Sequence, residues 1–221
     1  MKNNKKTILI LAAHPDDETL GCGGTIYQLS KQQYDIKLLT FTDGESARGN
    51  AGYNRNEVLV DVCNSLNIDW YSCEDFPDNA LDTIPLIELT KFIERHINFF
   101  PDIIFTHHEH DLNIDHRRVF QATLTAFRPQ LGKSHKILSY FVPSSTDYNP
   151  SNDFDKNNVY FTLDEESVNN KQSVLEKYYM KEMRSYPHTR SLKMIDMRMR
   201  TWGSEVGTTW AEKFKLVREV I

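Results

Sequence analysis

Short apolar runs that alternate with helical patterns constrain the fold of this chain more than any other feature. The runs are rich in Ile, Leu and Phe, and they occupy residues 7–13, 36–41, 68–71, 103–106 and 137–141. Apolar runs of this length, bounded by polar or turn residues, predict buried strands.

Helical patterns lie between these runs. In residues 85–99, apolar side chains recur at helical spacing, at Leu86, Leu89, Phe92, Ile93 and Ile97. Helices are also predicted at residues 23–31, 55–66 and 115–127. Strands that alternate with helices form a parallel sheet with right-handed crossovers and helices on both faces. The sequence therefore predicts one domain, residues 1–221, with a Rossmann-like three-layer α/β/α fold and a mostly parallel sheet.

The last third of the chain gives a weaker pattern. Residues 143–158 are rich in Ser, Asn and Asp and are predicted to form a long loop. A strand at residues 159–163 and a helix at residues 164–183 follow. We expect residues 186–221 to be irregular and polar, and to close with a helix at residues 209–220.

Charge and cysteine content exclude several classes of function. The net charge of −5 argues against a nucleic-acid or anionic membrane surface, since both are bound through basic clusters. No apolar run approaches the roughly 18 residues of a membrane span. The scattered Cys22, Cys63 and Cys73 predict neither a disulfide framework nor a thiolate metal site. We therefore expect a cytoplasmic protein that acts on a small molecule, and the sequence leaves assembly into a homo-oligomer open.

A tight acidic cluster follows the first predicted strand. The stretch AHPDDE, residues 13–18, contains His14, Asp16, Asp17 and Glu18. Adjacent carboxylates repel one another, so the cluster needs a stabilising partner. Either it begins a helix, whose dipole favours negative charge, or it holds a cation.

Polar residues also follow the second and fourth predicted strands, at residues 43–45 and 107–116. The carboxyl ends of parallel strands meet at one edge of a sheet, so these loops share a crevice. There His14, Asp17 and His116 would form a set of two histidines and one carboxylate with room for water. A cation in such an open site lowers the pKa of a bound water towards about 7, which makes the water a nucleophile.

Two motifs resemble those of the LmbE-like, or PIG-L-like, zinc de-N-acetylases: AHPDDE, and HDLNIDHR at residues 110–117. Weaker similarities are TDGES at residues 42–46, the R-x-E of Arg55 and Glu57, and a G-x-x-x-G-x-x-x-A-E-x-F pattern at residues 203–214. The resemblance implies that His14, Asp17 and His116 bind zinc. It also implies that Asp16 is the general base for the water, because a carboxylate beside a ligand can reach that water without coordinating the metal.

The resemblance implies roles for further residues. Asp115 would orient a neighbouring polar group, and Arg55 would bind sugar hydroxyls or phosphate through its planar guanidinium. Many relatives have a histidine where this chain has Asn113, and that histidine is assigned to oxyanion stabilisation. Asn113 donates a neutral hydrogen bond but no proton, so it would share oxyanion stabilisation with the metal. The proton donor to the leaving amine is then His188, or Asp16 once it is protonated.

Several candidate residues also have a structural interpretation. Arg55 is also suited to an ion pair on its own helix, although substrate contact is favoured. His107, His108 and His110 are expected to be solvated loop residues, with room for one of them to line the cleft. The GCGG stretch at residues 21–24 lacks both G-x-G-x-x-G order and the Walker lysine, so it predicts helix packing rather than a phosphate loop. Trp202 and Trp210 fit core positions, although a sugar ring can stack on either.

The leading functional hypothesis is a zinc-dependent hydrolase that removes the acetyl group from an N-acetylated amino sugar, GlcNAc-like and either free or conjugated. Iron or manganese would suit the same ligands. An alternative hypothesis keeps the metal but makes the substrate a thiol conjugate or another non-sugar acyl amide. A third hypothesis, a metal-free nucleotide-binding module, is disfavoured by the missing glycine fingerprint.

Overall fold

The first strand lies at the centre of the fold. The structure is a computed structural model that describes residues 5–44, 55–131, 134–156 and 159–220. Strand β1 (Thr7–Ala12) is buried from its second residue onward, and it pairs in parallel with β2 (Asp35–Thr42) and β4 (Ile103–Thr106). Because both faces of β1 are covered, its sequence is a continuous apolar run rather than an alternating one.

The sheet contains seven strands in the order β3-β2-β1-β4-β5-β7-β6. Strands β3 (Trp70–Phe76) and β5 (Lys136–Tyr140) extend the parallel part, while β7 (Ala211–Arg218) runs antiparallel to both β5 and β6 (Val159–Thr162). The mostly parallel sheet predicted from the sequence is confirmed. The carboxyl ends of β1 to β5 consequently lie at one edge.

Helices cover both faces of the sheet and give it two cores. One face carries α1 (Asp17–Lys31), α2 (Arg55–Ser65), α5 (Glu165–Tyr178) and α6 (Leu192–Glu205), and the other carries α3 (Leu86–His96) and α4 (Ile114–Ala126). Alternate residues of β1 enter the two cores, Ile8 and Ile10 on the first face, Leu9 and Leu11 on the second. The predicted three-layer α/β/α fold is therefore confirmed. Among the described residues, no helix has both the length and the apolar composition of a membrane span.

The last third of the chain differs from its prediction. Residues expected to be irregular form α6, whose buried Ile195, Met199 and Trp202 recur at helical spacing behind the N-cap Ser191. The helix predicted at residues 209–220 is wrong, because β7 occupies that segment. Charged residues at buried strand positions, such as Glu212, hide the strand pattern, since they resemble the solvated face of a helix.

Candidate active site

At the carboxyl edge of the sheet, the loops that follow neighbouring strands are joined by hydrogen bonds. The Thr42 backbone N–H, at the end of β2, donates to the Ala13 carbonyl (3.0 Å). The Ala13 N–H in turn donates to Nε2 of His107 (2.8 Å), which follows β4. The loops after β1, β2 and β4 thus share one crevice, as the strand order requires.

His14, Asp17 and His116 meet in this crevice. Asp17 Oδ2 lies 3.1 Å from His14 Nδ1 and 3.3 Å from His116 Nε2. All three residues are buried, and their ligand atoms lie within 4.8 Å of one another. The structure brings together the three residues that the sequence pattern selected, although they come from two separate loops.

These side chains are positioned to bind a metal ion. Asp17 Oδ1 is buried and has no hydrogen-bond partner among the residues that the structure describes. A buried carboxylate oxygen without a partner is costly, and a cation would satisfy it. Two imidazole nitrogens and one carboxylate also form the type of donor set that leaves a coordination position open at catalytic metals.

Carboxylates hold the outer nitrogen of His14. His14 Nε2 lies 3.2 Å from both Asp78 Oδ1 and Asp115 Oδ2. Asp115 is itself fixed by the backbone N–H groups of Asn79 (2.8 Å) and Leu81 (2.9 Å). Such carboxylates orient a metal-binding imidazole. The group available for Asp115 to orient is therefore His14, and Asp78 is a site residue that the sequence analysis missed.

Asp111 holds the outer nitrogen of His116 in the same way. Its Oδ1 lies 3.2 Å from His116 Nδ1, while Thr146 Oγ1 (2.8 Å) and Ser145 Oγ donate to the carboxylate. Burial alone would raise the pKa of Asp111, but His116 and the hydrogen bonds outweigh it and lower the pKa to about 2. Asp111 was not predicted from the sequence either, although it lies within HDLNIDHR.

The site is held together by opposite charges. Burial lowers the pKa of His116, but Asp17 and Asp111 outweigh this effect and raise it to about 9. Burial likewise opposes ionisation of Asp17, yet the charge of His116 and hydrogen bonds from His116 and His14 hold the pKa of this carboxyl well below its usual range. A metal ion bound by His116 would displace the imidazolium proton, so its binding would release protons.

His107 and His108 contradict the expectation of solvated loop residues, because both are fully buried. The His107 ring stacks on His116, with centroids 3.9 Å apart and an interplanar angle of 18°. Burial and the charge of His116 lower the pKa of His107 well below its usual value, so the ring is neutral. His107 is thus a rigid support for His116, whereas His110 is exposed as expected.

Asp16 adopts a strained backbone conformation beside His14, Asp17 and His116, with φ 129° and ψ −29°. Its backbone N–H donates to the buried Glu18 carboxylate (3.0 Å). Its own Oδ2 lies 3.4 Å from Arg190 Nη1. Non-glycine residues at such positive φ values cluster at functional sites, where the surrounding structure stabilises them.

A cavity of about 450 Å³ opens beside these residues, and its lining includes His14, Asp16, Asn113, His116, His188 and Arg190. This volume is within the range of small-molecule sites, roughly 300–1,000 Å³. The candidate residues Asn113 and His188, which are 75 positions apart in the sequence, therefore face one cavity with Asp16.

Asn113 and His188 have defined hydrogen bonds. Asn113 Oδ1 caps α4 by accepting the Asp115 N–H (2.8 Å), which leaves its NH₂ group to donate a longer bond to Asn79 (3.4 Å). His188 Nδ1 accepts the Arg190 N–H (3.0 Å). A neutral His188 therefore carries its proton on Nε2.

The other residues predicted from the sequence either pack in the core or lie outside the residues that the structure describes. The side chain of Arg55, and residues 45 and 46 of TDGES, lie outside the described residues. Trp202 is buried against Phe141 and Phe154, as a core residue should be. In GCGG, a Cβ on Gly21 would come within 2.3 Å of the Tyr140 ring, so helix packing explains this glycine.

A second acidic group does not form a comparable site. Glu109, His110 and Asp153 offer ligand atoms close together, but Glu109 and Asp153 are only partly buried and His110 is exposed. The Lys215 ammonium bonds both Glu109 Oε1 (2.6 Å) and Asp153 Oδ2 (3.0 Å). A lysine therefore already neutralises this cluster.

A parallel α/β sheet with a buried His/Asp set at its carboxyl edge, next to a small-molecule cavity, is the architecture of an enzyme. Residues 9–127 match the family model described as GlcNAc-PI de-N-acetylase, PIG-L. The chain belongs to this family of deacetylases, and the resemblance read from AHPDDE and HDLNIDHR is confirmed.

Individual proteins agree with this assignment. The "uncharacterized deacetylase YaiS" of Escherichia coli (strain K12) is 31% identical over 153 residues, which cover 65% of this chain and 77% of that protein. The conserved protein TT1542 from Thermus thermophilus has a TM-score of 0.74 at 20% identity, covering 97% of this chain and 95% of that one. The N,N'-diacetylchitobiose deacetylase from Pyrococcus horikoshii has a TM-score of 0.64 at 17% identity, with 97% and 84% covered. At these identities the two structures show a shared fold.

Proposed function

We propose that this protein is a metal-dependent hydrolase that removes the acetyl group from an N-acetylated amino sugar and releases a free amine and acetate. Family membership supports deacetylation. The single observation that carries the proposal is the convergence of His14, Asp17 and His116 beside a cavity that Asp16 also lines.

Each step of amide hydrolysis has a candidate residue. A divalent cation held by His14, Asp17 and His116, with zinc as our first choice, would supply a Lewis acid and lower the pKa of water. Asp16 accepts the proton of the attacking water, and the Arg190 guanidinium supplies a positive charge beside this carboxylate.

The polar cavity residues complete the reaction. The Asn113 amide donates to the oxyanion, since the N-cap already engages its Oδ1. The leaving nitrogen takes a proton either from Asp16, after Asp16 has accepted one, or from a protonated His188, because a neutral imidazole is too weak an acid to donate. For the sugar, the carboxylate of Asp78 and the amide of Asn79 line the cavity and suit hydroxyl groups. Substrate binding by Arg55 stays a prediction, as does the cytoplasmic location.

The notion of a metal-free nucleotide-binding module fits the site less well. Dinucleotide folds bind phosphate at the first turn after the first strand. Here the carboxylates of Asp16 and Asp17 occupy that turn, and they would repel a phosphate. The carboxylates would not repel an uncharged non-sugar acyl amide in this way. Assays with a panel of N-acetyl sugars and non-sugar amides are therefore needed to distinguish the two substrate classes.

The test is the change Asp16→Asn, with acetate release and metal content as measurements. We expect kcat to fall roughly 10²–10⁴-fold, the usual range for loss of a general base, while metal remains bound. Asp61→Asn, the same change on an exposed position of α2, is the matched control and should leave kcat unchanged. Near-wild-type activity of metal-loaded Asp16→Asn would eliminate Asp16 as the base. Turnover of non-sugar amides alone would contradict the sugar assignment.

A further inference from the structure

Helix α1 consists of two segments joined at a break. Cys22 has φ −145° and ψ 20°, outside the helical region. The first segment, residues 17–21, begins with Asp17, which follows Asp16 in the sequence. The second segment lies after the break and ends at Lys31. A break of this kind leaves carbonyl groups before it and N–H groups after it without their usual partners inside the helix.

Two charged side chains from the last third of the chain satisfy these groups. Lys171 Nζ, from α5, donates to the Leu20 carbonyl (2.9 Å) before the break. The Glu212 carboxylate, from β7, accepts the N–H groups of Gly24 (3.1 Å) and Thr25 (2.7 Å) after it. The cation thus lies at a carboxyl end and the anion at an amino end, as the helix dipole favours.

The two charges also bind each other. Lys171 Nζ lies 2.6 Å from Glu212 Oε1, and both residues are buried, Glu212 completely. A buried ion pair contributes little net stability, because desolvation offsets the attraction, and apolar residues in its place are often as stable. Stability alone therefore does not explain why this pair lies at the break.

The GCGG stretch makes room for the pair. A Cβ on Gly24 would lie 3.2 Å from Glu212 Oε1 and 2.7 Å from Leu163 Cδ1. A side chain at this position would clash with Leu163 and would crowd the carboxylate against the N–H groups that donate to it. The absence of a side chain at Gly24 therefore allows Glu212 to approach the backbone closely. This role of the GCGG stretch differs from that of a phosphate-binding loop.

We propose that Lys171 and Glu212 are positioning residues that fix the first segment of α1, and with it the Asp17 carboxylate, relative to His14 and His116. The metal-binding part of this inference rests on the proposed function. Both residues lie outside residues 9–127, the part of the chain that matches the family model. The ligand geometry of the N-terminal motif would then depend on contacts made by α5 and β7.

The test replaces both charges together, as Lys171→Met/Glu212→Leu, so that no lone charge is left buried. The matched control is Val174→Ala, a buried α5 residue in the same core that has no hydrogen bond to the break. Two quantities are measured: hydrogen exchange of the Gly24 and Thr25 amides in metal-free protein, and the zinc dissociation constant by competition with a chelating dye. In the double variant we expect faster exchange and a roughly tenfold or greater rise in the dissociation constant, as for loss of groups that orient ligands. The control should bind zinc like the wild type.

A positioning role is overturned if the folded double variant binds zinc as tightly as the wild type, whether or not the Gly24 and Thr25 amides exchange faster. Should the double variant fail to fold, Gly24→Ala, whose Cβ would crowd the Glu212 carboxylate without removing a charge, is compared with the wild type in zinc affinity and in amide exchange, and unchanged zinc affinity overturns the proposal. If the wild type itself binds no zinc or other divalent metal, the proposed function fails. The exchange of Gly24 and Thr25 still shows in that case whether the pair fixes the break.

Discussion

The buried carboxyl group of Glu18 gives the sharpest prediction, because its environment sets both its ionisation and the backbone of Asp16. Glu18 accepts hydrogen bonds from the Asp16 N–H (3.0 Å), Thr19 Oγ1 (2.7 Å) and the Tyr179 hydroxyl (3.0 Å). Burial raises its pKa to about 7, from an ordinary value of 4.5. The folded protein therefore keeps this proton at pH values where the unfolded chain has lost it.

The raised pKa of Glu18 determines how the free energy of unfolding changes with pH. A carboxyl whose pKa is raised by folding contributes stability below its unfolded pKa, and that contribution is lost as the pH rises through the folded pKa. The Glu18→Gln variant cannot ionise. The introduced amide is expected to keep an acceptor for the Asp16 N–H, since the hydroxyls of Thr19 and Tyr179 can turn to accept its NH₂ group. Between about pH 5 and pH 8 the variant should therefore gain about 2.5 kcal/mol of unfolding free energy relative to the wild type.

The assay is urea unfolding of both proteins in metal-free buffer across this pH range. Comparing the two proteins cancels all titrating groups that they share. A stability difference that stays constant from about pH 5 to pH 8 would refute the reasoning, since it would mean that Glu18 titrates alike in the folded and unfolded chain. Glu18→Ala removes the acceptor altogether and should destabilise the protein by at least about 2 kcal/mol, because it leaves buried donors without a partner.

Further predictions concern the ligands and their supports. Asp111→Asn should weaken metal binding roughly 10–100-fold in a chelator competition, since it loosens His116; unchanged affinity would exclude this support. Because the pKa of His116 is about 9 in the metal-free protein, metal affinity should rise with pH up to that value, and a pH-independent dissociation constant would contradict it. Gly21→Ala should lower the free energy of unfolding by roughly 1–3 kcal/mol in urea, because its Cβ would overlap the Tyr140 ring.

The parallel core of the fold was predictable because burial on both faces leaves a simple apolar pattern. Residues 103–106 form β4 with the predicted bounds, and β1 differs by one residue at its end. Strand β7 was not predictable in this way. Glu212 is buried there because Lys171 neutralises it, and this partner lies 41 residues away in sequence. A local pattern does not contain that information.

In the candidate site, too, residues within local motifs were predictable, whereas residues that depend on distant contacts were not. His14, Asp17 and His116 were found because short motifs mark the carboxyl ends of β1 and β4. Asp78 escaped, since it follows β3 without a motif and reaches His14 only through the order of strands in the sheet. The strained backbone of Asp16 was equally invisible, because it depends on a buried acceptor rather than on residue type.

The proposed function requires that one divalent ion binds where His14, Asp17 and His116 meet. Anomalous X-ray scattering from crystals grown with zinc tests it most directly. We expect one peak per chain, in contact with both imidazoles and the Asp17 carboxylate, at metal–ligand distances of roughly 2.0–2.2 Å. A peak located elsewhere, or metal-saturated crystals with no peak among these three side chains, would contradict it.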